Sequence, residues 1–285
     1  MEKIAVLIDS TSFLSEELKK ELDIRTVYLN IVINNHSYKE IIDMTNDKYY
    51  EYLRDTNNSF PTTSQPAIGE VVACLEKLKE EGYTDVIAIA LSSGISGAYS
   101  SYTVAGLMVD GINVHPFDSE VSCKPEGWYA IKAANLIKEG KNSKEIISAL
   151  NEMKKVSKAY FMADDLSHLQ RGGRLSGAQA LVGSLLQVKP LLHFEDKIIV
   201  PFQKIRTYKK VVLRMYELFD EFYQEHKGEN IHVCILHVDA IEKAQEIVEY
   251  LEEKYPDISI EIDAISPVIS THLGLGAIGF GWTIL

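Results

Sequence analysis

No stretch of this 285-residue chain approaches the roughly 18 consecutive apolar residues of a membrane helix, so no span is expected. Cysteine is scarce. Cys74, Cys123 and Cys234 are an odd set without metal-ligand spacing, which points away from a disulfide scaffold or a bound metal. Cys74 and Cys234 sit among apolar neighbours and read as small buried hydrophobes. The opening Met1-Glu2-Lys3-Ile4 is too acidic, and its apolar run too short, for a signal peptide. Reduced thiols without an export signal imply a cytoplasmic protein. Positive charge is also in deficit, with 29 Lys and Arg against 41 Asp and Glu and a formal charge of −12. A general nucleic-acid surface is therefore not expected.

Hydrophobic residues at 46% and charged residues at 25% are the mixture of a globular protein. The length suits two domains of about 100–150 residues each. Ile4–Ile8, Val27–Ile33, Val86–Leu91 and Ile112–Phe117 read as buried strands, alternating with amphipathic stretches at Leu14–Leu22, Ile68–Glu81, Ala98–Val109 and Trp128–Lys138. That alternation predicts an α/β unit with a mainly parallel sheet and flanking helices. Ser143–Lys155 reads as a connecting helix capped by Ser143. Beyond it the pattern gives a strand at Ala159–Ala163 and a hairpin from Leu191–Phe194 to Ile198–Pro201. A long helix follows at Tyr208–His226, then strand, helix and strand over His232–Ala264. The second half therefore reads as a mixed-sheet α/β domain. The boundary is placed at residue 158, giving domains 1–158 and 159–285, with a ligand between them.

Polar loops fall where these elements meet. Asp9-Ser10-Thr11-Ser12 follows the first strand and has the composition of a helix cap. In Thr62-Thr63-Ser64-Gln65-Pro66, Ser64 or Gln65 could cap a helix begun by Pro66, and the hydroxyls at such an N-terminus would suit an anion. Ser92-Ser93-Gly94-Ile95-Ser96-Gly97 leaves a parallel strand and opens a helix, where open α/β sheets bind ligands. It has neither dinucleotide nor P-loop spacing, and it lacks the residue between Ser96 and Gly97 that a nucleophile elbow requires. In the second half, Leu169-Gln170-Arg171-Gly172-Gly173-Arg174-Leu175-Ser176-Gly177 and Thr271-His272-Leu273-Gly274 supply arginines and a histidine. Donors are plentiful and general bases are not, which favours binding an anion over catalysis. Nine Lys or Arg lie between Arg171 and Arg214, opposed only by Glu195 and Asp196, a local charge of +7. Such a segment suits a solvated surface or a docking site for an acidic partner.

The ordered set Asp9-Ser10-Thr11, Thr63-Ser64-Gln65-Pro66, Ser92-to-Gly97, Asp118-Ser119, Gly172-Gly173-Arg174, Lys189-Pro190, Arg206-Thr207 and His272-Leu273-Gly274 closely resembles the DegV family. Within that family the chain is similar to the fatty-acid-binding subunit of the bacterial fatty acid kinase system. The resemblance implies a buried long-chain fatty acid such as palmitate, destined for phospholipid metabolism, and no other cofactor. Its carboxylate would be held by Thr63 and Ser96, within a head-group network of Thr62, Ser93, Arg174 and His272. Catalysis would belong to a separate ATP-dependent kinase, docking at Arg206, Lys204 and Arg171. Ala98 departs from the hydroxyl common at that position. Two alternatives from other classes are a hydrolase or acyl phosphotransferase using Ser96 and His272, and a sensor of another anionic metabolite.

Overall fold

The computed structural model describes residues 2–175 and 189–285. Ser176 and Gly177 of the arginine-glycine motif lie outside them. The chain opens with β1 (Ile4–Asp9), every residue of which is buried. β2 (Ile24–Val27) and β6 (Asp85–Ala90) pair with it on either side, and β7 (Asn113–Asp118) extends the sheet, all in parallel. Strands covered on both faces need continuous apolar runs, and β1 and β6 have them. Two helix pairs cover this sheet, Ile68–Glu80 with Ala98–Met108 and Lys124–Lys138 with Ser143–Val156. Asn142, not Ser143, caps the last of these, in a capping box with Glu145.

The apolar run Val27–Ile33 is not one strand. β2 ends at Val27, and β3 (Asn30–Ile33) belongs to a separate antiparallel sheet with β4 (His36–Lys39) and β5 (Thr62–Ser64). The break has a hydrogen-bond cause. The Leu29 amide donates to Ser10 Oγ at 2.9 Å, and its carbonyl accepts from the Glu40 amide at 3.1 Å. Leu29 thus finds partners outside a ladder. Asn34 and Asn35, both at positive φ, make the tight turn between β3 and β4.

The second sheet has six strands in the order β10-β9-β8-β13-β11-β12. They are β8 (Lys158–Met162), β9 (Leu191–Glu195), β10 (Ile198–Gln203), β11 (Ile231–His237), β12 (Ser259–Ala264) and β13 (Ile278–Ile284). Only β11 and β12 run parallel, so the sheet is mixed as expected. On one side Phe219 of the helix Tyr208–Glu225 packs on Phe280 and Trp282. On the other side Phe161, Leu192, Cys234 and Leu236 join the core of the first sheet. Gly281 of β13 lies where a Cβ would stand 2.7 Å from Pro125 Cγ. Its missing side chain admits the helix Lys124–Lys138.

The β9–β10 turn docks onto the first unit. Asp196 and Lys197 both adopt positive φ. The Lys197 carbonyl accepts from Ser92 Oγ at 2.6 Å, and its ammonium lies 3.1 Å from Asp118. A Cβ on Gly94 would stand 2.3 Å from that carbonyl, so part of the serine-glycine loop serves as a docking seat.

Candidate functional site

Between the two large sheets lies a hollow lined by residues of both, the concave, mostly apolar kind of site that small ligands occupy. Leu91, Cys123, Phe161, Leu236, Val268 and Phe280 are among its apolar walls. At its polar end the loops from four places in the sequence meet.

Thr63 is brought there by a strand rather than by a helix N-terminus. β5 pairs with the free edge of β3, Thr63 opposite Ile31, and strand alternation sends neighbours to opposite faces. Thr63 is half-buried in the cavity wall, whereas Thr62 is exposed and does not line it. The helix begins only at Ile68, and neither Ser64 nor Gln65 caps it. Gln65 instead packs on Gly97, where a Cβ would lie 2.8 Å from its carboxamide carbon. That contact brings the Thr63 strand beside the Ser96 loop. Ser96 lines the cavity, its oxygen accepting from the Ala98 amide at 3.2 Å and leaving its O–H available to a ligand.

His272 comes from the helix Pro267–Leu273, and its Nε2 lies 2.8 Å from Thr63 Oγ1. Burial drives its pKa down to about 3, with the Arg174 and His168 charges acting in the same direction. The imidazole is therefore neutral. With Nε2–H donating to Thr63 Oγ1, the threonine's own O–H is free to point into the cavity. Nδ1 is buried without a partner among the described residues.

Arg174 is half-buried at the same end. It donates from Nε to the Ile95 carbonyl at 3.1 Å and from Nη1 to the Gly172 carbonyl at 2.6 Å. No carboxylate of the described residues pairs with it. Burial lowers its pKa, so a cation is held in partly dry surroundings with only neutral acceptors.

Ser93 is elsewhere. Its hydroxyl and amide donate to Asp118 at 2.5 and 3.1 Å. Burial pushes the Asp118 carboxyl up, but the Ser93 and Lys197 bonds outweigh it and hold the group below the usual carboxylate range. Ser93 therefore belongs to the docking seat and not to the cavity. The basic segment is likewise not one patch. Lys189 pairs with Asp164, Lys197 with Asp118 and Arg214 with Glu217. Lys204 and Arg206 are exposed in a surface hollow with Lys210. Arg171 is apart from that hollow, its guanidinium 5.3 Å from the Phe60 ring centroid.

One participant was hidden in the sequence. A Cβ on Gly172 would lie 2.2 Å from His272 Nδ1, so only glycine leaves room for the ring. The doubled glycine beside Arg174 was the available signal. Gly172→Ala is expected to displace His272 from Thr63 and weaken ligand binding by roughly tenfold, the worth of about one hydrogen bond. Calorimetric titration of the variant beside the parent checks this, and equal affinity would refute the packing role.

The cavity and its flanking units together define a protein built around a small-molecule pocket. The chain belongs to the DegV family: the family profile described as "Uncharacterised protein, DegV family" matches residues 3–284. It is 50% identical to Protein DegV of Bacillus subtilis, over 98% of both chains. The crystal structure of DegV from Bacillus subtilis, titled a fatty acid binding protein, superposes with a TM-score of 0.94 at 48% identity over 100% of both chains. A fatty acid binding DegV family protein from Streptococcus agalactiae gives a TM-score of 0.92 at 30% identity, again over 100% of both chains. Among the described residues no helix is long and apolar enough to cross a membrane.

Proposed function

We propose that the protein binds one long-chain fatty acid in this cavity and presents its carboxylate to a separate ATP-dependent kinase for acyl-phosphate formation. Residues 1–158 supply the hydroxyl loops, and residues 159–285 supply Arg174, His272 and the docking surface. The observation that carries the reading is Arg174, a half-buried cation facing an apolar hollow without a carboxylate partner among the described residues. Thr63 and Ser96 add hydroxyl donors beside it. Relatives titled as fatty-acid-binding support the same ligand class. Burying about 14 methylenes at roughly 0.8 kcal/mol each yields roughly 11 kcal/mol gross. That is enough to offset ordering costs and leave tight binding. The head group then needs only a few donors to satisfy it.

The Ser96–His272 hydrolase fits less well. His272 Nε2 is engaged by Thr63, no acid supports Nδ1 among the described residues, and the ring's pKa is about 3. A general base works best with a pKa near the operating pH. Catalysis is assigned to the partner, reached through Lys204 and Arg206.

Organic extraction of the purified, denatured protein followed by mass spectrometry tests the ligand. A long-chain fatty acid approaching one per chain is expected. Recovery of only short polar anions would transfer the reading to a metabolite sensor.

A further inference from the structure

We propose that Phe194 is a partition between the ligand cavity and a second hollow, and that it thereby limits the bulk of the acyl chain the protein accepts. The acyl part of this inference rests on the fatty-acid reading above; the partition itself does not.

The ladder between β8 and β9 is irregular. β8 pairs with β9 at only two positions, Tyr160 with His193 and Phe161 with Leu192. Beyond them Ala159 keeps its β13 partner Gly281 and Phe194 its β10 partner Ile199, but Ala159 and Phe194 do not pair with each other. The strands part between Ala159 and Phe194, leaving an interruption in an otherwise continuous sheet. A second hollow lies at this interruption. Three residues border both spaces: Ala159, Tyr160 and Phe194.

Of the three, Ala159 has almost no side chain to close an opening. Tyr160 stacks on Trp282 and His193, in the core on the outer face. Phe194 faces inward, its ring centroid 5.8 Å from that of Phe161, packed against the main core. Its ring is the side chain placed to close the interruption.

The second hollow offers both apolar and polar walls. Tyr129, Val121 and Phe202 would accommodate methylenes. Lys154 and Lys197 are paired with Glu120 and Asp118, and the other two charged lining residues, Lys158 and Asp196, are exposed to solvent. None of the shared residues belongs to the Thr63–Ser96–Arg174–His272 cluster. Removing the ring would therefore add volume while leaving the head-group donors in place.

Phe194→Ala and the milder Phe194→Leu test the proposal in the full chain. Palmitate affinity in each variant is the reference against which longer chains are read. Binding of docosanoic acid should tighten roughly tenfold in Phe194→Ala, the effect of burying about two further methylenes. A ligand-free readout is available in Cys123, which lines the main cavity and is 5% exposed. Its burial holds the thiol pKa up, so alkylation by N-ethylmaleimide should be slow in the parent and several-fold faster in Phe194→Ala. Cys234, fully buried in β11, must stay unlabelled if the fold is intact. Should Phe194→Ala label Cys234, Phe194→Leu supplies the reading. An unchanged chain-length profile with unchanged Cys123 labelling overturns the partition. A parent that takes no fatty acid sinks the ligand reading, while faster Cys123 labelling would still support the partition.

Discussion

Arg174→Met is expected to weaken palmitate binding by about 1.5–3 kcal/mol, roughly 10- to 150-fold, the worth of a charge-assisted hydrogen bond. The methionine preserves much of the stem's packing and removes only the charge and its fork of donors. Arg174 has two backbone acceptors and no acid among the described residues, so the variant breaks no internal ion pair. Arg206→Ala is the contrast. Arg206 is exposed beside Lys204 and lies outside the cavity, so its loss should leave palmitate affinity unchanged. It should instead slow acyl-phosphate formation by the partner kinase, most at low salt and less as salt is raised, because a rim charge mainly steers association and salt screens it. Fluorescence titration and a coupled phosphorylation assay on both variants separate the roles. Loss of palmitate binding in Arg206→Ala, or full binding in Arg174→Met, would reverse the assignment.

Glu40→Gln is expected to flatten the dependence of stability on pH. Glu40 is fully buried, its Oε1 accepting from Ser10 Oγ at 2.5 Å and its Oε2 from the Val268 amide at 3.1 Å. It thereby ties the first loop to the helix that carries His272. Burial raises its pKa to about 7, against the pull of the Ser10, Ser266 and Val268 hydrogen bonds, and the Asp9 charge adds to the rise. The unfolded group titrates near 4.5, so the folded chain holds the proton more tightly. Stability from this group is complete below the unfolded value and is lost as pH rises through about 7, a change of about 3 kcal/mol. Asp9 and Glu126 are also buried and raised by burial, so a residual slope of the same sign remains in the variant. Urea unfolding at a series of pH values measures it, and identical slopes for parent and variant would remove Glu40 from the account. The next residue, Ile41, takes φ of 68°, uncommon for a β-branched side chain. The local structure accepts that cost to seat Glu40.

Much of the architecture is legible in period and composition. The buried runs behind β1 and β6 announced themselves because strands covered on both faces must be apolar throughout. The β9–β10 hairpin and the helix Tyr208–Glu225 lie within a residue or two of where the pattern put them. The small β4-β3-β5 sheet was not legible. Its strands are short, and β5 consists of three hydroxyl residues ahead of a proline. Tertiary pairing with β3 overrode that local helix-start chemistry. At the site, the motifs named Thr63, Ser96, Arg174 and His272, and the structure gathers all four around the cavity. Thr62 and Ser93, expected from the resemblance in the same head-group network, are not among them. Strand alternation turns Thr62 outward, and Asp118 engages Ser93. No local pattern could show that Gly172 yields its volume to a histidine 100 residues away, or that the basic segment is divided among acidic partners.

The two sheets meet around a hollow instead of a full set of side chains, so on the proposed function a bound acyl chain would complete the protein's interior. A ligand confined to the folded form adds about 2.7 kcal/mol at a hundredfold excess over its dissociation constant. Proteolysis acting on opened chains would then clear unloaded molecules first. The abundance of the carrier would follow the supply of its cargo, with no transcriptional sensor required.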